Sequence, residues 1–466
     1  MRRPAPARET TATSTASDVD DLRRQVSGPV HEGGNAQGLA ELAGPATTVD
    51  HAPIAIVGAR DAADVGATVR WAGRRGLAVA VHATGHAARS YRDVVVVTTT
   101  RMNQCLVDAE RRTATVGAGV RWETVIAAAA TCGLAPLNGS SSSVGVVGYT
   151  VGGGVGALAR QYGFAADHVR SLELVTAEGR LVHVNALSHP DLYWAVLGAP
   201  GSFGVVTRLE FDLMPVRRLY AGALYFDAEQ ASAVFQAFRA WSAGLPDATT
   251  SSIALLTQPP GPAALALAPG RAVVHLRFAH LGDSETGAEV ISAMRGAGRV
   301  LLDTLRDTSY ADVATTFNDP RDRAPSFSTG AFLDSLDARA VDALLDVAGP
   351  QRHLPMPMIE LRHLGGALGR LPARPNCVGG RDAAYALGLV AAAPPQLADA
   401  APALCAQVLD AMGPWTADDA PVNYLSGTSD RLRQLPWSQG DRARLRQLKR
   451  SLDPGNTFRV GPTVQP

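Results

Sequence analysis

The chain has 466 residues, more than one hydrophobic core usually organises, so two domains are expected. Its 43 Lys and Arg residues balance 43 Asp and Glu residues, which argues against nucleic acid or an anionic membrane as the main partner. No run of 18 apolar residues and no signal-like apolar segment occurs, so no membrane span is expected and the cytoplasm is the predicted location.

The N-terminal half is predicted to combine short strands with helices. A tail rich in Thr, Ser, Ala and Pro is expected to be largely flexible, with one short helix over 20–28. The segment 168–184 is a predicted hairpin with Glu178 and Gly179 at its tip. Further strands are predicted at 54–59, 77–83, 94–100 and 113–119, and helices at 61–76 and 122–133.

The pattern changes near residue 217, where alternating strands and amphipathic helices begin. This order predicts a sheet that is covered by helices on one face. A Pro/Gly/Ala-rich stretch at 259–270 is expected to be a loop. The strands are predicted within 219–227, 251–258 and 271–280, and the helices within 229–244, 285–298 and 338–349.

Neither the cysteines nor the basic C-terminal helix indicates a functional site. The four cysteines lack the CxxC spacing of a zinc site, so isolated buried thiols are predicted and no metal is expected. Lys449 and Arg450, on a predicted helix within 441–462, are expected to lie on a solvated face.

A glycine-dense run, GSSSSVGVVGYTVGGGVG at 139–156, is the most informative local feature of the chain. Glycines flanked by β-branched residues mark a place where the backbone approaches something flat or anionic. A second turn, Thr84-Gly85-His86, follows the strand-like segment at 77–83. Backbone N–H groups in such turns bind a pyrophosphate without a cationic side chain. The two features together indicate a flavin nucleotide site rather than a nicotinamide site.

Several motifs follow one another in a characteristic order. They are the Gly85-His86 turn, VGVVGYTVGGGVGALARQYGFAADHV, LVTAEGRLVHV, DLYWAVLGAPGSFGVVTRLEF, MIELRHLGGA, VNYL and RLRQLKRSLDPGNTFR. With this set, the chain resembles the berberine bridge enzyme-like flavoprotein oxidases of the vanillyl-alcohol oxidase and p-cresol methylhydroxylase (PCMH) superfamily. The resemblance implies an α+β, two-domain PCMH-type FAD-binding fold. It implies a tail over 1–45, an FAD domain over 46–217, a substrate domain on a helix-covered antiparallel sheet over 218–417, and a returning C-terminal segment over 418–466.

The resemblance also implies one bound FAD. His86 stands where relatives bond an imidazole to the flavin, so a covalent link is predicted, with a noncovalent flavin beside His86 as the alternative. Ser141 replaces the cysteine of a second link, and a hydroxyl is not a thiolate nucleophile, so a single link is expected. His82 and Ala87 replace the usual Arg and Ser of the first turn. The expected FAD contacts are His86, Thr84, Gly85, Ala87, Val144, Gly145, Gly148, Tyr149, Gly152, Gly153, Gly154, Gly156, Asp167, Gly204, Val206 and Asn423.

The catalytic base is open, because Pro421 stands where many relatives have a tyrosine that acts as the base. Glu360, His363 and Tyr424 are the candidates. Strand alternation places Glu360 on one face with Arg362, and His363 on the other. A buried carboxylate with a raised pKa would accept a proton near neutral pH, whereas a salt bridge between Glu360 and an arginine is equally open. Tyr424 is either a core residue or part of the active site.

The function implied by the resemblance is that of an oxidase. A hydride would pass from a small-molecule alcohol, amine or natural-product intermediate to the flavin, and O2 would accept the electrons to give H2O2. The Ala- and Arg-rich composition is typical of a high-GC bacterium, where relatives often modify natural products, so the resemblance implies a role in secondary metabolism. A flavoprotein that catalyses an oxidative cyclisation or a non-redox rearrangement, and a noncatalytic family member, are the alternatives. The sequence leaves a homodimer open.

Overall fold

The structure, a computed structural model, describes residues 19–44, 50–86, 89–257, 272–317, 319, 324–425 and 436–466. The predicted loop at 259–270 and the expected FAD contact Ala87 lie outside these residues. The described strands form three sheets. Their arrangement is a mixed α+β, PCMH-type fold, as predicted.

The first sheet has four strands. These are β1 (Val30–Glu32), β2 (Ala55–Gly58), β3 (Ala78–His82) and β4 (Val94–Thr98), in the spatial order β1-β2-β4-β3. The last three are parallel, whereas β1 is antiparallel to β2. Two helices, α1 (Ala36–Glu41) and α2 (Ala62–Gly73), accompany them. The Asp61 side chain caps α2 by accepting hydrogen bonds from the N–H groups of Ala63 and Asp64.

The first sheet corrects part of the predicted flexible tail. Residues 19–44 pack into the fold, and the helix predicted over 20–28 is limited to 19–23. Leu22 is fully buried and Val30 is 9% exposed. Apolar burial on both sides of a three-residue strand therefore holds this segment, and such a short strand leaves little periodicity in the sequence.

The second sheet has five antiparallel strands in the order β5-β6-β9-β7-β8. The hairpin predicted over 168–184 is β7 and β8, whereas β5 was not predicted. The strands are β5 (Cys105–Asp108), β6 (Thr113–Gly117), β7 (Val169–Val175), β8 (Leu181–Asn185) and β9 (Val205–Asp212). The helices of this region are α3 (Trp122–Ala130), α4 (Val146–Val151), α5 (Ala159–Tyr162) and α6 (Pro190–Val196).

A large antiparallel sheet contains the remaining strands, in the order β13-β10-β12-β11-β16-β17-β15, with β14 also paired to β10. The strands are β10 (Arg218–Asp227), β11 (Thr249–Thr257), β12 (Ala272–His280), β13 (Val300–Asp303), β14 (Arg306–Ser309), β15 (Ser326–Leu333), β16 (Met358–His363) and β17 (Tyr385–Ala392). The helices are α7 (Ala231–Ser242), α8 (Ser284–Arg295), α9 (Ala314–Phe317), α10 (Ala338–Ala348) and α11 (Ala400–Ala411).

Helices cover one face of the large sheet, as the sequence predicted. In one row across four neighbouring strands, Leu276, Ile253, Leu361 and Leu387 lie side by side. They share a hydrophobic core with residues of α7, α8, α10 and α11. Because side chains alternate along a strand, residues 360 and 362 lie on the opposite face. That opposite face contributes to the site described below.

The last helix, α12 (Gln439–Leu452), corrects the prediction of a solvated basic face. Arg450 is exposed, but Lys449 is fully buried. The Lys449 ammonium donates hydrogen bonds to the carbonyls of Ser202 and Phe458 and to the Asp453 carboxylate, each at 2.7 Å. A buried charge needs such partners, and they join α12 to the loop before β9.

Some features concern the molecule as a whole. All four cysteines are free; Cys377 and Cys405 are buried, whereas Cys132 is exposed and Cys105 is half-buried. Within the described residues, no helix combines the length and the apolar character needed to cross a membrane. The domain boundaries predicted at residues 46, 218 and 418 stay predictions.

Candidate functional site

A cavity of about 540 Å³ lies between the two glycine-containing turns and the uncovered face of the large sheet. Segments 79–86 and 198–206 form part of its wall, and β16 and β17 form another part. The expected FAD contacts that line it are Thr84, Gly85, His86, Val144, Gly145, Gly148, Tyr149, Gly152, Gly154, Gly204, Val206 and Asn423. Gly153, Gly156 and Asp167 do not line it.

The two turns meet at this cavity. A Cβ atom added to Gly145 would come within 3.2 Å of the Thr84 side chain, so the first turn lies directly against the second. Gly85 has a φ of +70°, which side chains rarely allow. A Cβ atom at Gly148, by contrast, would meet no atom within 4 Å. The cavity therefore has no free space between Gly145 and Thr84, where the turns touch, but it has free space beside Gly148 in α4.

The glycines that follow α4 make room for other parts of the same chain. A Cβ atom at Gly154 would lie 2.5 Å from the Tyr149 ring, and one at Gly152 would lie 1.9 Å from the Asn423 side chain. Asn423 donates a hydrogen bond of 2.9 Å to the Tyr149 carbonyl. Gly153 and Gly156 similarly accommodate Val378 and the Asn138 carbonyl. The sequence predicted a close approach to a flat or anionic group, whereas these glycines accommodate parts of the protein itself.

Asp167, an expected FAD contact, has a structural role. Its carboxylate accepts hydrogen bonds from Arg381 at 2.7 Å, from Asn376 at 2.8 Å and from the Phe164 N–H at 3.0 Å. These contacts attach the connection between β16 and β17 to the segment after α5. Asp167 therefore acts outside the cavity, which corrects the prediction.

Glu360 lies on the cavity face of β16, between two arginines. Its carboxylate accepts hydrogen bonds from Arg277 at 2.7 Å and from Arg362 at 3.1 Å. Burial by itself would raise the pKa of Glu360, but the charges of Arg362 and Arg277 outweigh it and lower the pKa to about 2. The expectation of a raised pKa is wrong, and the alternative of a salt bridge is what the structure shows.

His363 lies on the opposite face of β16 and does not line the cavity. Its Nε2 atom is 3.4 Å from the Arg160 guanidinium, and its ring packs against Tyr385. Burial, together with the positive charge of Arg160, lowers the pKa of His363 to about 3. His363 is thus separated from the cavity and uncharged at neutral pH, which argues against its predicted role as the base.

Tyr424 lines the cavity from the turn Val422–Tyr424. Its ring lies over two glycines of the large sheet, because Cβ atoms at Gly330 and Gly388 would meet it at 2.7 and 3.4 Å. Burial raises the pKa of Tyr424, although the charge of Arg362 opposes this. The residue lines the site as a protonated phenol at neutral pH. Pro421 lines the same cavity and offers no titratable group.

Arg277 and Asp319 complete the polar wall and were not predicted. Arg277 bonds to Glu360 and also to Asp319, at 3.2 Å, and both line the cavity. Ser252 of β11 pairs with Arg277 on one side and with Arg362 on the other, so the strand register brings the two arginines together. A single arginine in an apolar strand is a weak signal unless that register is known.

Comparisons with known proteins agree with this geometry. A family model described as an FAD binding domain matches residues 53–185. The (R)-6-hydroxynicotine oxidase of Paenarthrobacter nicotinovorans is 32% identical over 267 residues, which cover 56% of this chain and 56% of that one. The match thus spans little more than half of this relative.

Solved structures cover almost the whole chain. The crystal structure of 6-hydroxy-D-nicotine oxidase from Arthrobacter nicotinovorans has a TM-score of 0.79 and 25% identity, over 95% of this chain and 98% of that chain. The Physcomitrella patens BBE-like 1 protein has a TM-score of 0.83 and 18% identity, over 96% and 99%. Residues 53–185 thus match an FAD binding domain, and the chain as a whole has the fold of these solved structures.

The residues that line the cavity fit an FAD cofactor. Both turns line the cavity, and turns of this kind suit a pyrophosphate because they can offer backbone N–H groups. Gly148 leaves the space beside α4 free, whereas Gly204, with a φ of +156°, makes room for the Val175 carbonyl of β7. His86 is exposed on this wall, and partial desolvation by its surroundings lowers the pKa of its imidazole. The site therefore offers backbone donors, open space and a neutral imidazole.

Proposed function

We propose that this protein is an FAD-linked oxidase that acts on a small-molecule alcohol or amine. The supporting observation is that one cavity joins the glycine-containing turns to the Arg277–Glu360–Arg362 cluster. A cofactor along the turns would present its ring toward this polar wall, where a substrate can be oriented. The nicotine oxidases that the chain is similar to are in keeping with such a reaction.

The residues of the site would divide the work. Bound FAD accepts a hydride from a substrate carbon and passes two electrons to O2, which with two protons forms H2O2. Glu360, fixed by two guanidinium groups, offers a hydrogen-bond acceptor in a stable orientation. Tyr424 narrows the space over Gly330 and Gly388. Arg362 also donates a hydrogen bond of 2.8 Å to the Val155 carbonyl, which joins the substrate wall to the glycine-rich segment.

A single covalent link through His86 is part of the proposal. A neutral imidazole has the free electron pair that a bond to carbon needs, and the lowered pKa keeps His86 in that form. Ser141 lines the cavity where a second link would need a thiolate. We also assign the protein to the cytoplasm and to secondary metabolism, and leave a homodimer open, as the sequence suggested.

The test begins with the purified protein, its His86→Ala variant and a matched His183→Ala control, since His183 is exposed and outside the cavity. After acid denaturation, flavin that stays with the wild type and the control but leaves His86→Ala would support the covalent link. Release of H2O2 with alcohols or amines would support the oxidase. Flavin that is bound but is not reduced by any substrate would favour a rearrangement, and the absence of flavin would contradict the proposal.

A further inference from the structure

Hydride transfer makes different demands on a protein for different substrates. An alcohol must lose its hydroxyl proton to a base while the hydride leaves its carbon. A neutral amine needs no base, because the nitrogen electron pair itself forms the new C=N bond. The product is then an iminium cation, whose positive charge must be stabilised. A site without a base but with a fixed anion is therefore better suited to an amine.

The described titratable groups at this cavity do not offer a free base on the substrate wall. Glu360 accepts hydrogen bonds from both arginines, and the Asp319 carboxylate pairs with Arg277. Tyr424 and Tyr149 stay protonated, because burial raises the pKa of each phenol. The remaining groups, His82, His86, Arg89 and Tyr91, belong to the wall formed by the first turn and the segment that follows it. Burial raises the pKa of Tyr91, so this phenol also stays protonated.

The geometry points to a neutral amine as the substrate, oxidised without a protein base, with Glu360 as the carboxylate that stabilises the developing iminium charge. This inference rests on the proposed oxidase function. In the step, the C–H bond breaks and its electron pair leaves with hydrogen as a hydride to the cofactor. The nitrogen electron pair closes the C=N bond, and no proton moves. O2 later takes up the two electrons.

The charges around Glu360 allow it to act in this way. Arg277 also pairs with Asp319, and Arg362 also donates to the Val155 carbonyl, so neither cation is directed at Glu360 alone. The two arginines and the two carboxylates sum to zero charge. A fixed anion that faces a developing cation in a site shielded from water lowers the energy of the transition state.

The wall beside Glu360 suits an apolar substrate body. Met358 and Val390 are cross-strand neighbours, as are Glu360 and Gly388, and all four lie on the cavity face. Ala386 continues the same face next to Arg362. One polar anchor beside two apolar side chains, with the Tyr424 ring over Gly388, fits an amine on a compact apolar skeleton.

The first experiment uses the flavin-loaded protein and pairs of compounds that share a skeleton. N-methylbenzylamine and benzyl alcohol form one pair, and pyridyl and alkyl amines with their alcohols form the others. We expect anaerobic reduction of the flavin by at least one amine, at about a hundredfold or more above its alcohol. In a plot of kcat/KM against pH, the decrease at acidic pH should occur near the pKa of the amine itself. It should therefore shift when ring substituents change the pKa of the amine.

A protein base would give a different result. An alcohol oxidised as fast as its amine partner would overturn the inference while leaving the oxidase function intact. So would a decrease of kcat/KM that occurs at the same acidic pH for all amines, whatever their own pKa. A panel in which no amine reduces the flavin would overturn it as well. Protein that carries no flavin would contradict the proposed function itself.

The second experiment measures the charge at Glu360 by binding, independently of turnover. N-methylpyridinium, a permanent cation, and toluene, an uncharged molecule of similar size, are titrated while the flavin absorbance is recorded. Glu360→Gln should weaken N-methylpyridinium binding by about tenfold and leave toluene unchanged. It should also slow amine-driven flavin reduction by about 10²- to 10³-fold.

A matched substitution serves as the control. Glu210→Gln removes a carboxylate that pairs with Arg111 and does not line the cavity, so it should change neither measurement. Cation binding that is equal in Glu360→Gln and the wild type would overturn the role assigned to Glu360.

Discussion

At the scale of single residues, the neighbours of Glu360 decide what its carboxylate can do. In an apolar pocket it would hold a proton at neutral pH and could serve as an acid or a base. With Arg277 at 2.7 Å and Arg362 at 3.1 Å, it remains charged. The same residue type at the same strand position is thus a proton acceptor or a permanent anion, according to whether two arginines lie beside it.

Removing one of these cations should make the charge depend on pH. In Arg277→Met, burial acts against the charge of Arg362 alone, so the pKa of Glu360 should rise from about 2 toward or above its usual value of 4.5. A carboxylate with a lowered pKa loses its negative charge only as the pH falls through that pKa. Binding of N-methylpyridinium, measured from pH 4 to 9, should therefore decrease more at the acid end in Arg277→Met than in the wild type, in which only His82 and His86 of the same cavity gain charge.

A second arginine substitution separates this effect from a general loss of positive charge. Arg218 lies on the neighbouring strand β10 and pairs at the surface with Asp307. Arg218→Met should keep the pH dependence of the wild type. Binding in Arg277→Met that decreases no more than in the wild type down to pH 4 would mean that Arg362 alone keeps Glu360 charged.

At the scale of elements, the sequence predicted best where a long pattern repeats. The alternation in β16 correctly separated Glu360 from His363, since only the former faces the cavity. The strands β1 and β5, with three and four residues, were missed because so short a run carries little pattern. Element type is thus readable from a chain when an element spans several periods.

The glycine run shows a different limit. Its composition predicts that something approaches the backbone, but not whether that neighbour is a ligand or the protein. Gly154 accommodates Tyr149, which is five residues earlier, whereas Gly152 accommodates Asn423, which is far away in sequence. Arg277 stayed hidden for the same reason, since its partners belong to other strands. Contacts between segments that are distant in sequence could not be predicted from this one chain.

Substitution of two glycines on adjacent strands tests how closely Tyr424 packs on the large sheet. Gly330 and Gly388 face each other across β15 and β17, and Tyr424 lies over both. In Gly330→Ala the new Cβ would lie 2.7 Å from the Tyr424 ring and 2.4 Å from the Leu387 carbonyl. We expect a decrease of about 1–3 kcal/mol in the free energy of unfolding, measured with urea, and a displaced Tyr424.

The partner glycine provides the control within the same pair. In Gly388→Ala the Cβ would meet the Tyr424 ring at 3.4 Å, an ordinary contact, so the stability should stay close to that of the wild type. Both variants keep the backbone in an extended conformation. An equal decrease in the free energy of unfolding in both variants would show that the strands, and not the Tyr424 ring, are sensitive to the added methyl group.

At the scale of the whole molecule, a buried arginine joins the segment after the glycine run to the large sheet. Arg160 of α5 donates hydrogen bonds to the carbonyls of Thr249 and Leu245, each at 2.9 Å, and to that of Leu364. Leu364 directly follows β16, the strand that carries Glu360. The position of β16 relative to the glycine-containing turns therefore depends on a side chain that does not line the cavity.

Replacing Arg160 should weaken the contact between α5 and the large sheet before it unfolds either element. Arg160→Met leaves three buried carbonyls without their donor, at about 1–3 kcal/mol for each unpaired group, so the free energy of unfolding should decrease by about 3 kcal/mol or more. Arg370→Met is the control, because Arg370 is 65% exposed and pairs with Asp247. Hydrogen exchange should increase first at 245–249 and 363–366. Exchange that increases equally over the whole large sheet would show that Arg160 stabilises the fold as a unit and does not specifically hold β16.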